Sequence, residues 1–447
     1  MNRLFSTAGI LIGLASVAHA QASSNETVNP YDLSIGQFNP EAAVAPGSIV
    51  EGAGIKVGEG TVLRPVFGLE TGVISNVFYA NTQTQDAGVL RLMAQIGASS
   101  LGGARINTTT SHTTEEGTPD MGSFEYRLSL RAAYDLMLSS DDQVSKAGGL
   151  GLGASFHAIA NPMGRFSFGI DDDFMRLIRA ADFETDANLN RDINNARLVG
   201  IIHPRGSSLS GYLYYQNTID VFEQSSTYPD RMSNTLGLHP MWQWLPQTQV
   251  YMDASLGVVS ALGTSNKVTS YPLSILAGIG TLLTYKTTLN LSAGYTNGFY
   301  TKGPSFNAPQ FGATFGYRYS PLGRVMLGYQ LMYSDSINAN YYRDHVFLAS
   351  LQQLFNPFVL MVQPELHLRE YNGVNIANPM ITGPDTRDDT IFAVTAGMSY
   401  SFRNWFAATL SYRFSTVQTN YTYTFMGTTA DPSFTRHEAL LGVRIAM

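Results

Sequence analysis

The stretch Pro309–Asp335, PQFGATFGYRYSPLGRVMLGYQLMYSD, alternates with a period of two on both sides of a tight turn. In its first arm Phe311, Ala313, Phe315, Tyr317 and Tyr319 share one face, while Gly312, Thr314, Gly316 and Arg318 share the other. Ser320-Pro321-Leu322-Gly323 turns the chain, and Val325, Leu327, Tyr329, Leu331 and Tyr333 resume the apolar face. Successive strand side chains point to opposite sides, so this is a β-hairpin with one apolar and one polar face. Each arm is about ten residues, the length of a tilted strand that crosses a bilayer.

The same unit recurs from Val62–Thr71 to Arg436–Met447. The expected fold is all-β, a transmembrane antiparallel up-and-down β-barrel of about 18 strands, with about 16 as the alternative. Connections alternate in kind. Short turns at Asn161–Gly164, Leu245–Gln247, Ser320–Gly323, Asn356-Pro357 and Arg403-Asn404 alternate with longer polar stretches such as Glu223–Arg231, Asn372–Asp389 and Gln418–Thr435. Bacterial barrels keep short turns in the periplasm and long loops outside. The span Ser99–Ser123 breaks this rhythm, being long where a short turn is due.

Composition agrees. Only 14% of the 447 residues are charged, against about 25% in soluble proteins. Beyond the extreme N-terminus no run of about 18 apolar residues occurs, so helical spans are not expected. A closed barrel reconciles the two, because its strands present their lipid face in alternation. Cysteine is absent and the net charge is -7 with no basic tail, so disulfides, thiolate metal sites and nucleic-acid binding are not expected.

Asn2-Arg3, the apolar run Ala8–Val17 and Ala18-His19-Ala20 form a secretory signal peptide pattern over residues 1–20. Residues 21–60 are polar and irregular, and read as a periplasmic N-terminal extension or a plug in the lumen. Residues 61–447 are the barrel. The compartment is the bacterial outer membrane, with the lipid bilayer and the barrel assembly machinery as partners. Alternating Ala439, Leu441, Val443, Ile445 and Met447 resemble the terminal-strand signal that this machinery reads, although Met447 stands where an aromatic is usual. Aromatics crowd the short-turn side, among them Phe166, Phe168, Trp242, Trp244, Tyr251, Tyr285, Phe355, Phe358, Phe402 and Trp405. Amphipathic rings collect at headgroup level, so these form an expected periplasmic girdle.

No Gly-x-Ser-x-Gly elbow, His-Glu-x-x-His or phosphate loop occurs, so no enzyme, cofactor or metal site is expected. The glycine run Gly148–Gly153 leads into an alternating strand and reads as small strand residues. His239, His367 and His437 could join Asp220, Asp253 or Glu438 as a hydrolase pair, a minor alternative beside a filled structural or adhesive barrel.

Lysine occurs only at Lys56, Lys146, Lys267, Lys286 and Lys302, so arginine supplies most of the 27 basic side chains. By parity Arg64, Arg91, Arg127 and Arg131 face the lumen from the first strands, and Arg369, Arg413, Arg436 and Arg444 from the last ones. Barrel closure joins them into one basic wall. Asp171, Asp173, Asp220 and Asp253 face inward roughly opposite, which sets a transverse field across a water-filled channel. Local neutralisation by neighbours is the competing arrangement. Tyr212 and Tyr214 share a lumen face with Gln216 and Asp220, and Tyr421 and Tyr423 lie in a long loop; rings beside hydrogen-bonding groups suit sugar faces.

Gly72-Val73-Ile74-Ser75-Asn76-Val77-Phe78 and the span Arg165–Phe222 carry a resemblance. Within that span Asn190-Arg191-Asp192-Ile193-Asn194 leads through His203-Pro204-Arg205-Gly206 to Tyr212-Leu213-Tyr214-Tyr215. With the layout of residues 61–447, the chain resembles the outer-membrane β-barrel porins, some of which accompany exopolysaccharide secretion systems. The resemblance implies a passive conduit, with no catalytic residues to carry over. The expected function is a porin-like channel for polar solutes or exported polysaccharide, the latter with periplasmic polysaccharide-export components as partners.

Overall fold

The computed structural model describes residues 54–58, 60–100, 123–162, 164–180, 189–202, 204, 206–223, 228–263, 267–377, 382–425 and 428–447. The signal peptide 1–20, most of the N-terminal extension and most of the span Ser99–Ser123 lie outside the described residues.

A short strand β1 (Ile55–Val57) precedes β2 (Thr61–Ile74), β3 (Ala87–Ser100), β4 (Phe124–Leu138), β5 (Gly149–Ala160) and β6 (Phe166–Ala180). Then come β7 (Leu189–Ile202), β8 (Leu209–Phe222), β9 (Arg231–Leu245), β10 (Thr248–Ala261), β11 (Leu273–Thr284) and β12 (Thr287–Asn297). The alternating hairpin Pro309–Asp335 lies in β13 (Asn307–Ser320) and β14 (Gly323–Asp335). After it run β15 (Tyr341–Phe355), β16 (Phe358–Asn372), β17 (Thr386–Arg403) and β18 (Phe406–Thr419). A small hairpin, β19 (Tyr423–Phe425) with β20 (Thr428–Ala430), decorates the last connection before β21 (Phe434–Ala446).

Each long strand from β2 to β18 pairs antiparallel with the next, β18 pairs with β21, and β21 pairs with β2. The result is a closed antiparallel barrel of 18 strands, with β1 folded back along the start of β2. Closure removes the unpaired edges that a sheet would otherwise present to lipid.

The alternation read from sequence becomes the two faces of this wall. Leu69 and Val73 on β2, Leu92 and Ile96 on β3, and Leu441, Val443 and Ile445 on β21 are exposed on the outside. The residues between them, including Glu70, Arg91 and Arg444, are buried on the inside. An apolar exterior around a polar interior inverts the arrangement of a soluble protein and is what a bilayer requires. The barrel belongs in the outer membrane, where single-chain barrels of this kind reside.

The girdle of aromatics at the short-turn end is exposed, with Phe168 at 68%, Trp244 at 54% and Phe355 at 58%. Tyr251 is the correction. It is buried and stacks on His239 with centroids 5.4 Å apart, because it shares parity with Asp253 and both face inward. Strands β6 and β7 run to Ala180 and from Leu189, beyond the spans Arg165–Asp173 and Ala196–His203 over which the sequence alternation predicts them. Their outer halves carry polar residues such as Asp172, Arg176, Asp192 and Asn194 where lipid-facing apolar residues were the only visible signal.

Candidate functional site

The inner face of the wall holds the candidate site. Arg91 is its densest node: Nε and Nη2 donate to the two carboxylate oxygens of Asp135 at 2.6 and 3.0 Å. Asp135 stands directly opposite Arg91 in the β3–β4 register, so the fork meets the carboxylate side-on. Arg91 also lies 3.7 Å from Glu70 and 3.5 Å from Glu438. Arg444 reaches Glu70 at 3.1 Å, and Arg436 reaches Glu438 at 3.5 Å. Three of the expected basic-wall residues are therefore interleaved with three carboxylates, of which Glu70 and Asp135 were not singled out from the sequence and Glu438 only as a partner for histidine.

Arg369 behaves alike. Its Nε and Nη2 converge on Asp344 Oδ2 at 3.0 and 2.8 Å, with the guanidinium 4.1 Å over the Tyr342 ring. His367 lies between Asp344 at 2.8 Å and Glu365 at 2.7 Å. Arg64, Arg127, Arg131 and Arg413 stand on the same inner face and are partly exposed. The Arg131 side chain lies across Gly153, where an added Cβ would fall 2.1 Å from Nε. The glycine run is thus strand, and one of its members makes room for an interior arginine.

The four expected acidic residues are also on the inner face. Asp220 meets Arg231 at 3.0 Å, with Arg191 3.8 Å away. Asp253 bonds His239 at 3.0 Å, and Asp171 bonds His157. Asp173 faces Ser155 across the β5–β6 ladder. Arg191, Arg197 and Arg231 stand on this same arc, so the acidic side of the ring carries basic residues that parity alone did not single out.

A stacked ribbon crosses this arc. Arg197 covers Tyr214 at 4.6 Å and Tyr212 at 5.5 Å, Tyr212 stacks on His239 at 4.7 Å, and His239 stacks on Tyr251. The rings lie flat because Gly237 and Gly278 offer no side chain: a Cβ there would sit 2.1 Å from Tyr214 and 2.2 Å from Tyr251. Of the histidines in the minor hydrolase alternative, His239 meets Asp253, one of its named acids, whereas His367 meets Asp344 and Glu365, which it did not name. His437 is not brought to Glu438. It bonds the Tyr412 hydroxyl at 2.9 Å on the exterior, since adjacent strand residues face opposite ways.

Connections at the long-loop end fold back onto the wall. Tyr79, from the β2–β3 connection, packs with Ile391, Ala393, Val417 and Phe434, and Arg436 caps its ring at 4.4 Å. Tyr421 packs with Ala339, Tyr342, Tyr371 and Val374, which places it in a loop contact. A short helix α1 (Asp142–Lys146) buries Val144 against Ile74, Val89 and Met137.

No family model and no curated protein matches this sequence. Among solved structures, a BenF-like porin from Pseudomonas fluorescens Pf-5 is similar at 11% identity and a TM-score of 0.45, over 87% of this chain and 99% of that one. OccAB4 from Acinetobacter baumannii is similar at 12% identity and a TM-score of 0.44, over 86% and 98%. OccK2 (OpdF) from Pseudomonas aeruginosa is similar at 10% identity and a TM-score of 0.43, over 86% and 98%.

Proposed function

We propose that the chain is a porin-like channel passing small polar solutes across the outer membrane. The observation that carries this reading is the closed 18-strand ring, apolar outside and charged inside. Barrels of about this strand number enclose an aqueous channel, whereas about eight strands leave room only for side chains. The partly exposed Arg64, Arg127 and Arg413 give the basic wall, and Asp171 with Asp173 a more acidic arc. The many close ion pairs confine that field to the residues that still meet water. The barrel assembly machinery is the insertion partner that the alternating face of β21 suits. Polysaccharide export, with its periplasmic components, has no observation in its favour.

Single-channel recording of the refolded protein in a planar bilayer tests the reading, with and without residues 21–53. Discrete steps from the full-length chain are expected. Steps only after truncation would make the N-terminal segment a plug. Silence from both forms, with no variant that conducts, would overturn the channel.

A further inference from the structure

Two distant parts of the wall meet over the mouth at the long-loop end. Arg231 opens β9 and Asp335 closes β14, and β10 to β13 lie between them in the ring. Yet Arg231 Nη1 lies 3.2 Å from Asp335 Oδ2. Lys267, on the β10–β11 connection, reaches the same oxygen at 2.9 Å and donates to the Ser336 carbonyl at 2.6 Å. Tyr300, on the β12–β13 connection, donates its hydroxyl to Oδ1 at 3.2 Å. One carboxylate gathers a strand end and two connections.

The tie is shielded and backed. Side chains of Asp335, Arg231 and Lys267 are at most 9% exposed. Asp220 holds Arg231 from behind at 3.0 Å. Phe222, which ends β8, packs with Ile337 just past β14, and Tyr228 covers them. Beneath lies a cavity of about 20 Å³ lined by Thr235, Ser255, Ser270 and Thr296, room for about one water. Remove the Asp335 carboxylate and two neighbouring cations lose the anion between them, so they repel across the mouth. The β9–β10 and β13–β14 ladders do not depend on this contact, so the barrel wall survives its loss.

We propose that Asp335 sets the size limit of passage, by tying the β10–β11 and β12–β13 connections and the β9 end across the mouth. The assignment rests on the reading that the lumen conducts. The test is liposome swelling with neutral sugars of increasing size, beside single-channel recording, for the wild type, Asp335→Ala and Asp335→Glu. Asp335→Ala should admit sugars excluded by the wild type and raise conductance about 1.5- to 3-fold, an order-of-magnitude expectation for a widened mouth. Asp335→Glu should restore the wild-type limit.

The chain has no cysteine, so Arg231→Cys with Asp335→Cys provides two unique thiols. A short bifunctional maleimide should return this open double variant to the wild-type limit. A conducting wild type with an unchanged limit in Asp335→Ala overturns the tie and leaves the channel standing. A silent wild type with a conducting Asp335→Ala supports both. Silence in every variant overturns the channel reading and the tie with it.

Discussion

His239 and Asp253 are hydrogen-bonded at 3.0 Å across a stretch of the β9–β10 ladder where backbone pairing lapses. The register runs from Tyr251 opposite Met241 to Ala254 opposite Leu238, and Pro240, which has no N–H, lies in the gap. The side-chain bond, with Tyr212 and Tyr251 stacked on either side of the imidazole, takes over cohesion there. His239→Ala should destabilise the refolded barrel by about 1–3 kcal/mol, by leaving a buried carboxylate short of a donor. The urea midpoint in vesicles reads this out; an unchanged midpoint would show that the ladder gap needs no bridge.

Arg91 should matter more. Its guanidinium, 11% exposed, faces Asp135, Glu70 and Glu438 together. Arg91→Met leaves three buried carboxylates short of a cation and should cost about 3–5 kcal/mol. Arg91→Lys should recover only part, since an ammonium cannot reproduce the two-pronged contact with Asp135. Equal stability of the Lys variant and the wild type would count against the fork geometry.

Ion selectivity should follow the residues that still meet water. Reversing Arg64, Arg127 and Arg413 together to Glu should move the reversal potential in a salt gradient toward cation preference. Reversing Arg444 should mostly cost stability, because Glu70 lies 3.1 Å away and would face a second carboxylate. A reversal potential indifferent to the triple change would remove the basic wall from the mechanism.

Alkaline pH should loosen the mouth. Burial, with Asp335 beside it, pushes the Tyr300 hydroxyl well above its ordinary value of 10.0. Its folded-state pKa is raised, so the stabilisation is fully present below about pH 10 and is lost as pH climbs beyond that. Conductance of the wild type should therefore stay level through about pH 10 and rise only well above it, and Tyr300→Phe should remove that component. An identical alkaline response in both proteins would place the titrating group elsewhere.

Much of this fold could be read from a period of two. The hairpin of β13 and β14, the strand number and the outward set on β21 all follow from apolar residues alternating along the chain. The reading weakened where both faces are polar, as at Asp172, Arg176 and Asn194, because alternation is visible only against a lipid-facing side. The inward arginines were found by parity, but their carboxylates were not. Glu70, Asp135 and Asp344 become partners through cross-strand register, which one strand's pattern does not contain. Tyr251 and His437 show the converse error, in which proximity in sequence outweighed parity. Nothing periodic links Arg231 to Asp335; their meeting depends on how the ring bends.

The ladder between β2 and β21 stands apart from the others. Every other barrel ladder joins neighbouring barrel strands, with only the small β19–β20 hairpin intervening between β18 and β21, and each can form locally. Arg444 and Glu70, which sit at this seam, are 374 residues apart. Loop-closure entropy makes such a rung late, so the seam is the last to form and the step that commits the polypeptide to its final topology. Until then Glu70 has Arg91 opposite it in the β2–β3 ladder, while Arg444 stands on an open margin far from Glu70. Bringing Arg444 to Glu70 in a low-dielectric setting adds a clasp across the seam, so the same pair that neutralises the finished wall also gives the nascent sheet a directional reason to close on itself.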